Sequence, residues 1–247
     1  MILYAILSHK EPAGVMRRAR RIVAADPHGH VLIHHDAGAP ALPPSADERI
    51  AFVRDRVRVS WGDFSVVAAM LRCVRDAGAI AFDWMVLLSG QDYPCAPLRG
   101  LEAQLAASGV DGFVEHAPCA QRFADDNATR YLFAYRRLPA ALLPLARRAW
   151  RFNRVQPFAR VVATRAGAFA GIRSPAPFGP HFAGYRGSFW WTLSRPCVDE
   201  VRRFAGERLA DMRAFERKLI PDEAFVPSIL ANAGRFTLAA RDLRYIV

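Results

Sequence analysis

A chain of 247 residues that is 52% hydrophobic and rich in Phe and Trp can bury a large core, which excludes a disordered or fibrous protein. Its formal charge of +11 rests on arginine, with Lys10 and Lys218 the only lysines; the charge suits an anionic surface or a phosphorylated substrate, and no nucleic-acid-reading motif accompanies it, so no nucleic-acid partner is expected. The scattered Cys73, Cys95, Cys119 and Cys197 give neither a zinc knuckle nor a disulfide framework, and no apolar run approaches a membrane span, so a soluble, cytoplasmic chain is expected.

In chain order, residues 2–8 read as a strand ending in Ser8-His9-Lys10. Residues 13–25 make an arginine-rich helix with apolar positions at Val15, Ala19, Ile22 and Val23. A second strand, 31–34, leads into His34-His35-Asp36, and the proline-rich stretch 38–45 is a loop. Residues 57–60 read as a third strand before Trp61-Gly62-Asp63-Phe64, after which Ser65 caps a helix through Asp76. Residues 84–88 form a continuous apolar run, the pattern of a strand buried on both faces, and break into Ser89-Gly90-Gln91-Asp92-Tyr93-Pro94. This alternation predicts an α/β fold with a mostly parallel sheet and helices on both faces. Ligands in such sheets sit beyond the carboxyl ends of the strands. His9, Lys10, Asp36, Gln91 and Asp92 all fall there, although each singly also reads as a cap or turn residue.

The second half is less regular. Residues 98–107 read as a helix and 112–115 as a short strand. Residues 136–154 set Leu142, Leu145, Ala149 and Phe152 among six arginines, with a helix over 144–153. That basic amphipathic stretch reads first as a solvated helix face over the core, with docking at an anionic membrane surface as the second reading. A loop over 173–180 precedes an aromatic strand at 187–194, helices at 196–209 and 222–233, and a closing strand at 236–247.

Six motifs in order carry a resemblance. They are Ser8-His9-Lys10, Ile33-His34-His35-Asp36, Val-Ser-Trp-Gly-Asp-Phe-Ser at 59–65, Leu-Leu-Ser-Gly-Gln-Asp-Tyr-Pro at 87–94, Gly187-Ser188, and Pro221-Asp222-Glu223-Ala224-Phe225. Together they resemble the core-2/I-branching glycosyltransferase family, which includes β-1,6-N-acetylglucosaminyltransferases and peptide O-xylosyltransferases. The resemblance runs from residue 2 to about 246. It implies one GT-A-like, Rossmann-type domain over 1–247, with a nucleotide-binding half at 1–110 and an acceptor-binding, catalytic half at 111–247. It further implies inverting transfer of N-acetylglucosamine or xylose from a UDP-sugar to a hydroxyl of a glycan, glycolipid or peptide, without a divalent metal or other cofactor.

Inverting transfer needs a carboxylate to take the acceptor proton and positive charge beside the departing diphosphate. By the resemblance Glu223 is the base and Asp222 contacts the acceptor; by themselves the two carboxylates also read as complements to a helix dipole. No Asp-x-Asp occurs, and the nearest approach, Asp125-Asp126-Asn127, follows no strand. Arginines are therefore expected at the diphosphate. The candidates are Arg241 and Arg244, the latter in Leu243-Arg244-Tyr245-Ile246, which is similar to a late segment of the family. The resemblance places His9, Lys10 and Asp36 beside the uridine. It makes Trp61, Ser65, Gln91 and Asp92 the lining or bracing of the same cleft, while packing and helix capping are the other reading of Trp61 and Ser65. Glu115 resembles an acceptor-contacting glutamate. Trp190 and Trp191 suit stacking on sugar rings, though strand alternation puts one of them in the core. Relatives generally continue past the Leu-Arg-Tyr-Ile segment, and the Golgi members carry an anchor and disulfides not seen here. A compact, bacterial-type enzyme, cytoplasmic and at most peripheral at the inner membrane, is the expectation. A non-catalytic nucleotide-sugar or glycan-binding protein of the same fold is the alternative.

Overall fold

The computed structural model describes residues 1–119, 129–164 and 167–244. In chain order its strands are β1 (Ile2–Ser8), β2 (His30–His35), β3 (Ile50–Phe52), β4 (Trp84–Ser89), β5 (Gly112–Val114), β6 (Ala117–Pro118), β7 (Phe133–Arg137), β8 (Ala159–Thr164), β9 (Gly167–Arg173), β10 (Tyr185–Arg186), β11 (Trp191–Ser194) and β12 (Leu238–Ala239). The helices are α1 (Pro12–Ala25), α2 (Ser65–Asp76), α3 (Leu101–Ala106), α4 (Leu143–Arg148), α5 (Arg195–Glu207), α6 (Leu209–Glu216) and α7 (Asp222–Ala233).

Seven strands form the central sheet in the order β12-β5-β11-β4-β1-β2-β3. All neighbours are parallel except at β11, which lies antiparallel between β4 and β5. The apolar runs of β1 and β4 follow from burial on two faces. Along β1, Ile2, Tyr4 and Ile6 join the core under α1, with Val15, Met16, Ala19, Ile22 and Val23. Leu3 and Ala5 point the other way, into the core shared with α2, α5 and α7. The α/β class and the mostly parallel sheet are as the alternation predicts, and strands from both halves of the chain complete that one sheet.

Several local expectations change. Residues 57–60 form no ladder strand; the third strand is β3, whose three residues pair with β2. Side chains explain the difference. The N–H of Val57 donates to Nε2 of His34 (3.0 Å) and that of Val59 to the Asp36 carboxylate (2.5 Å), so the segment is held by side-chain acceptors instead of a strand partner. Ser65 is the first residue of α2 rather than its cap, and the carboxylate accepting its N–H (2.9 Å) is Asp63. The helix foreseen at 144–153 is α4 followed by 3-10 turns over Ala149–Arg154. The late strands shrink to β11 and β12.

A second sheet, antiparallel in the order β7-β9-β8, has no counterpart in the pattern read from the sequence. It buries Phe133, Tyr135 and Phe169 against Leu219 and Ile220, just ahead of α7. Among the described residues no helix is long and apolar enough to cross a membrane.

Candidate active-site cleft

The carboxyl ends of β1, β2 and β4 open into a cleft of about 900 Å³, within the upper part of the roughly 300–1,000 Å³ range of small-molecule sites. Because β11 is antiparallel, the residues leading into it, Ser188, Phe189 and Trp190, arrive at this same edge. The start of α7 supplies Asp222 and Glu223. The cleft thus gathers His9, Lys10, Asp36, Trp61, Gln91, Trp190, Asp222 and Glu223 from the residues marked by sequence.

Close backbone packing fixes the β4 corner. The N–H of Gly90 donates to the carbonyl of Leu7 (2.7 Å), and a Cβ at position 90 would lie 2.5 Å from the Ser8 Cβ. Only glycine fits where β4 ends against β1. Asp92 then closes the turn, accepting from the Ser89 N–H (2.8 Å) and hydroxyl (2.9 Å), and it pairs with Arg244. The guanidinium of Arg244 also lies 4.1 Å from the Trp190 ring centroid. Neither Asp92 nor Arg244 lines the cleft; they hold Trp190, which does.

The β2 end is similarly tied. Asp36 is buried and accepts N–H bonds from Gly38 (2.6 Å) and Val59 (2.5 Å). His34, also buried, accepts the Val57 N–H at Nε2, so its ring is neutral with the proton on Nδ1, and burial holds its pKa below the usual value. His35 is held low by the same cause, its Nδ1 sharing a hydrogen bond with the Ser8 hydroxyl (2.8 Å).

At α7 the two carboxylates differ sharply. Oε2 of Glu223 accepts from Arg130 Nη1 (2.9 Å) and from Arg186 Nε (2.8 Å) and Nη2 (2.6 Å), and Oε1 carries no hydrogen bond among the described residues. Asp222 has no side-chain partner among them; surrounded by protein at the cleft wall, its carboxyl is pushed up to about 7 by desolvation, with the neighbouring Glu223 charge adding to the rise. The backbone entering this pair is strained. Ile220 sits at φ 51, rare for a β-branched side chain, with its N–H on the carbonyl of Gly62 (2.9 Å) and its carbonyl near the Tyr131 hydroxyl (3.4 Å).

Other marked residues lie elsewhere. Trp191 is 2% exposed and packs in the core, as alternation demands once Trp190 faces the cleft. Arg241 follows the edge strand β12, its guanidinium 5.7 Å from the Phe113 ring centroid and away from the cleft lining. Ser65 braces the 60–65 turn, its hydroxyl accepting the Ser60 N–H (2.7 Å). Glu115 stands outside the lining, its carbonyl packed on Gly187. Asp125-Asp126-Asn127, Tyr245 and Ile246 fall outside the described residues, among which no cluster of three or more His, Cys, Asp or Glu is arranged to hold a metal.

Sequence reading missed Arg58, which lines the cleft with Lys10. Both are exposed, and neither pairs with a carboxylate among the described residues. It also missed Arg130 and Arg186. The signal for Arg186 was its place beside the Gly187-Ser188 motif; nothing local marks Arg58 or Arg130 among so many arginines.

Residues 2–247 match the sequence model of the core-2/I-branching enzyme (Branch) family. No protein with curated annotation matches the chain. Among solved structures, the chain is similar to a Bacillus anthracis protein assigned as a glucose-1-phosphate thymidylyltransferase and determined in complex with a sucrose. The identity is 10% and the TM-score 0.45, over 99% of this chain and 87% of that one. That likeness is too loose to carry an argument.

Proposed function

This chain belongs to the core-2/I-branching enzyme family, and from that premise we propose that it moves N-acetylglucosamine or xylose from a UDP-sugar to an acceptor hydroxyl with inversion and without a divalent metal. The family makes it a glycosyltransferase, with a nucleotide-sugar donor and a glycan acceptor. The observation that carries the finer reading is the single cleft in which the carboxyl ends of β1, β2 and β4 meet the carboxylates of α7. It sets uncompensated cations and a proton acceptor on one cavity, the two things an inverting displacement consumes.

The acceptor hydroxyl gives its proton to Glu223 through Oε1 while its oxygen bonds to the anomeric carbon. The bond from that carbon to the diphosphate oxygen breaks, and the diphosphate leaves with the electron pair. Arg130 and Arg186, both on Oε2, hold the Glu223 carboxylate in one orientation. The departing charge is met by Lys10 and Arg58, which replace Arg241 and Arg244 in this role because those two lie outside the lining and Arg244 is already paired to Asp92. Trp190 offers its ring to a sugar face.

A second assignment of the proton is supported by Asp222. A carboxyl titrating near 7 in the cleft, without a side-chain hydrogen-bond partner among the described residues, is well matched to general base work at neutral pH. The deciding experiment is a UDP-sugar hydrolysis and transfer panel, with and without EDTA, on the native chain, Glu223→Gln and Asp222→Asn. Loss of turnover with retained UDP binding in Glu223→Gln supports Glu223. The same loss confined to Asp222→Asn moves the role to Asp222. UDP binding without turnover from any donor supports a binding protein, and abolition of activity by EDTA overturns the metal-free reading.

A further inference from the structure

Residues 127–198 contain no Asp or Glu, while residues 129–173 alone contain ten arginines. The fold gathers much of this acid-free stretch into the layer of β7, β8, β9 and α4. One face of that layer is spoken for, since Phe133, Tyr135 and Phe169 are buried against Leu219 and Ile220. At the end of the layer where β8 begins and β9 stops, apolar side chains stand in solvent: Phe152 is 50% exposed, Phe158 70%, Ile172 72% and Val155 82%.

These four are neighbours in the fold. The N–H of Val155 donates to the carbonyl of Phe152 (3.1 Å), and the N–H of Arg173 donates to that of Phe158 (2.8 Å). Ile172, on the central strand, lies between Ala159 of β8 and Ala134 of β7, whose small side chains leave it standing clear. The side chain of Asn153 clasps the backbone of Val161 in both directions (2.8 and 2.9 Å), which ties the 152–158 loop to the sheet. Arg147 and Arg148 in the last turn of α4, and Arg173 at the end of β9, are exposed in the same layer.

We propose that this end of the three-stranded sheet docks on an anionic lipid bilayer, with Phe158, Val155, Ile172 and Phe152 entering the headgroup boundary and Arg147, Arg148 and Arg173 on the anionic lipids. The charge decides the occupant: exposed apolar tips and cations on one stretch of chain that holds no carboxylate match an acidic lipid surface. Nucleic acid fits less well, because the aliphatic Val155 and Ile172 offer bases no stacking face. The surface lies outside the cleft lining, so its test needs no turnover.

The test is co-sedimentation of the full chain with vesicles of phosphatidylcholine alone and of phosphatidylcholine with 30% phosphatidylserine. The expected result is binding to the phosphatidylserine vesicles, weakened by salt, with a partition constant at least tenfold lower for Val155→Ser/Phe158→Ser and about fivefold lower for each of Arg147→Gln and Arg148→Gln. All four positions are exposed, and an unchanged circular dichroism spectrum checks that the variants fold. Native protein that ignores phosphatidylserine vesicles overturns the proposal. So does binding that survives both apolar substitutions, tight binding of duplex DNA that arginine substitution removes while vesicles remain unbound, or a concentration-dependent dimer that the apolar substitutions dissolve without any vesicle binding.

Discussion

The carbonyl of Glu223 accepts the backbone N–H of Gly187 at 2.9 Å, a bond that leaves the helix to which Glu223 belongs. In an unbroken α-helix that carbonyl would take the N–H four residues on, but position 227 is proline and has none to give. Pro227 thus frees the bond that joins the start of α7 to the strand pair carrying Arg186. Gly187 is required on the other side as well, because a Cβ there would lie 1.6 Å from the Glu115 carbonyl oxygen. Gly187→Ala is expected to cost several kcal/mol, in the range of severe backbone clashes (about 4 kcal/mol or more), and to abolish transfer; thermal melts and turnover check both. Pro227→Ala is expected to leave stability within about 2 kcal/mol while lowering kcat, since the new N–H competes for the Glu223 carbonyl.

Asp222 predicts a pH signature. Its folded-state pKa of about 7 stands above the ordinary 3.8. Between those values the unfolded chain has released a proton that the folded chain still holds, so stability falls as pH rises from about 4 to 7 and stays reduced above. The upper bound of the effect is roughly 4 kcal/mol. Asp222→Asn is therefore expected to flatten the pH dependence of denaturant unfolding across that window. It should also make the protein more stable than the native chain at pH 8. A variant with an unchanged profile would show that Asp222 is ionised in the fold.

Asp36 makes a third case. Both carboxylate oxygens accept backbone N–H groups that no ladder partner serves. Asp36→Asn keeps the shape but turns an NH₂ toward one of those donors, at a cost of about 2 kcal/mol. The 57–60 segment, with Arg58 on it, should loosen. The expected readout is a raised donor KM with a smaller change in kcat, measured alongside urea unfolding.

Arg244 is expected to act on the acceptor side through Trp190. Arg244→Gln removes the ion pair with Asp92 and the cation over the indole, worth about 1–2 kcal/mol together. Trp190 should become mobile, visible as a change in tryptophan emission and quenching, and acceptor KM should rise. Donor binding by isothermal titration should stay within twofold; a large loss there would return Arg244 to the diphosphate.

The fold was legible where burial on two faces writes continuous apolar runs. β1, β4 and α7 could be read directly, and α1 to within a residue. β3 escaped because three residues make too short a signal, and the three-stranded sheet because Arg137 and Arg160 stand on its core side over Phe169 and Phe133, which breaks the apolar alternation of its edge strands. At the site, motif spacing marked the carboxyl edges of β1, β2 and β4, since polar residues after apolar runs have few other uses. It did not separate cleft residues from their supports. Trp190 and Trp191 are adjacent and similar, and only the strand's facing decides which is core. The arginines were harder still, because composition supplies so many that position in space alone distinguishes Arg58 and Arg130 from the rest.

The antiparallel strand β11 also sets an order of events. β4 is complete by residue 89, yet its outer neighbour spans residues 191–194. A chain made from its amino terminus can pair β1, β2, β3 and β4 early, through contacts of modest separation, while the far edge of β4 stays open. That edge carries Trp84, Met85 and Val86, an apolar strand with unpaired backbone groups, and the register that closes it comes some hundred residues later. Synthesis therefore passes through a stage in which an apolar inner strand of the sheet is a bare template for other chains. Crowded expression should expose this as aggregation of chains truncated between β4 and β11, and chains ending beyond Ser194 should escape it.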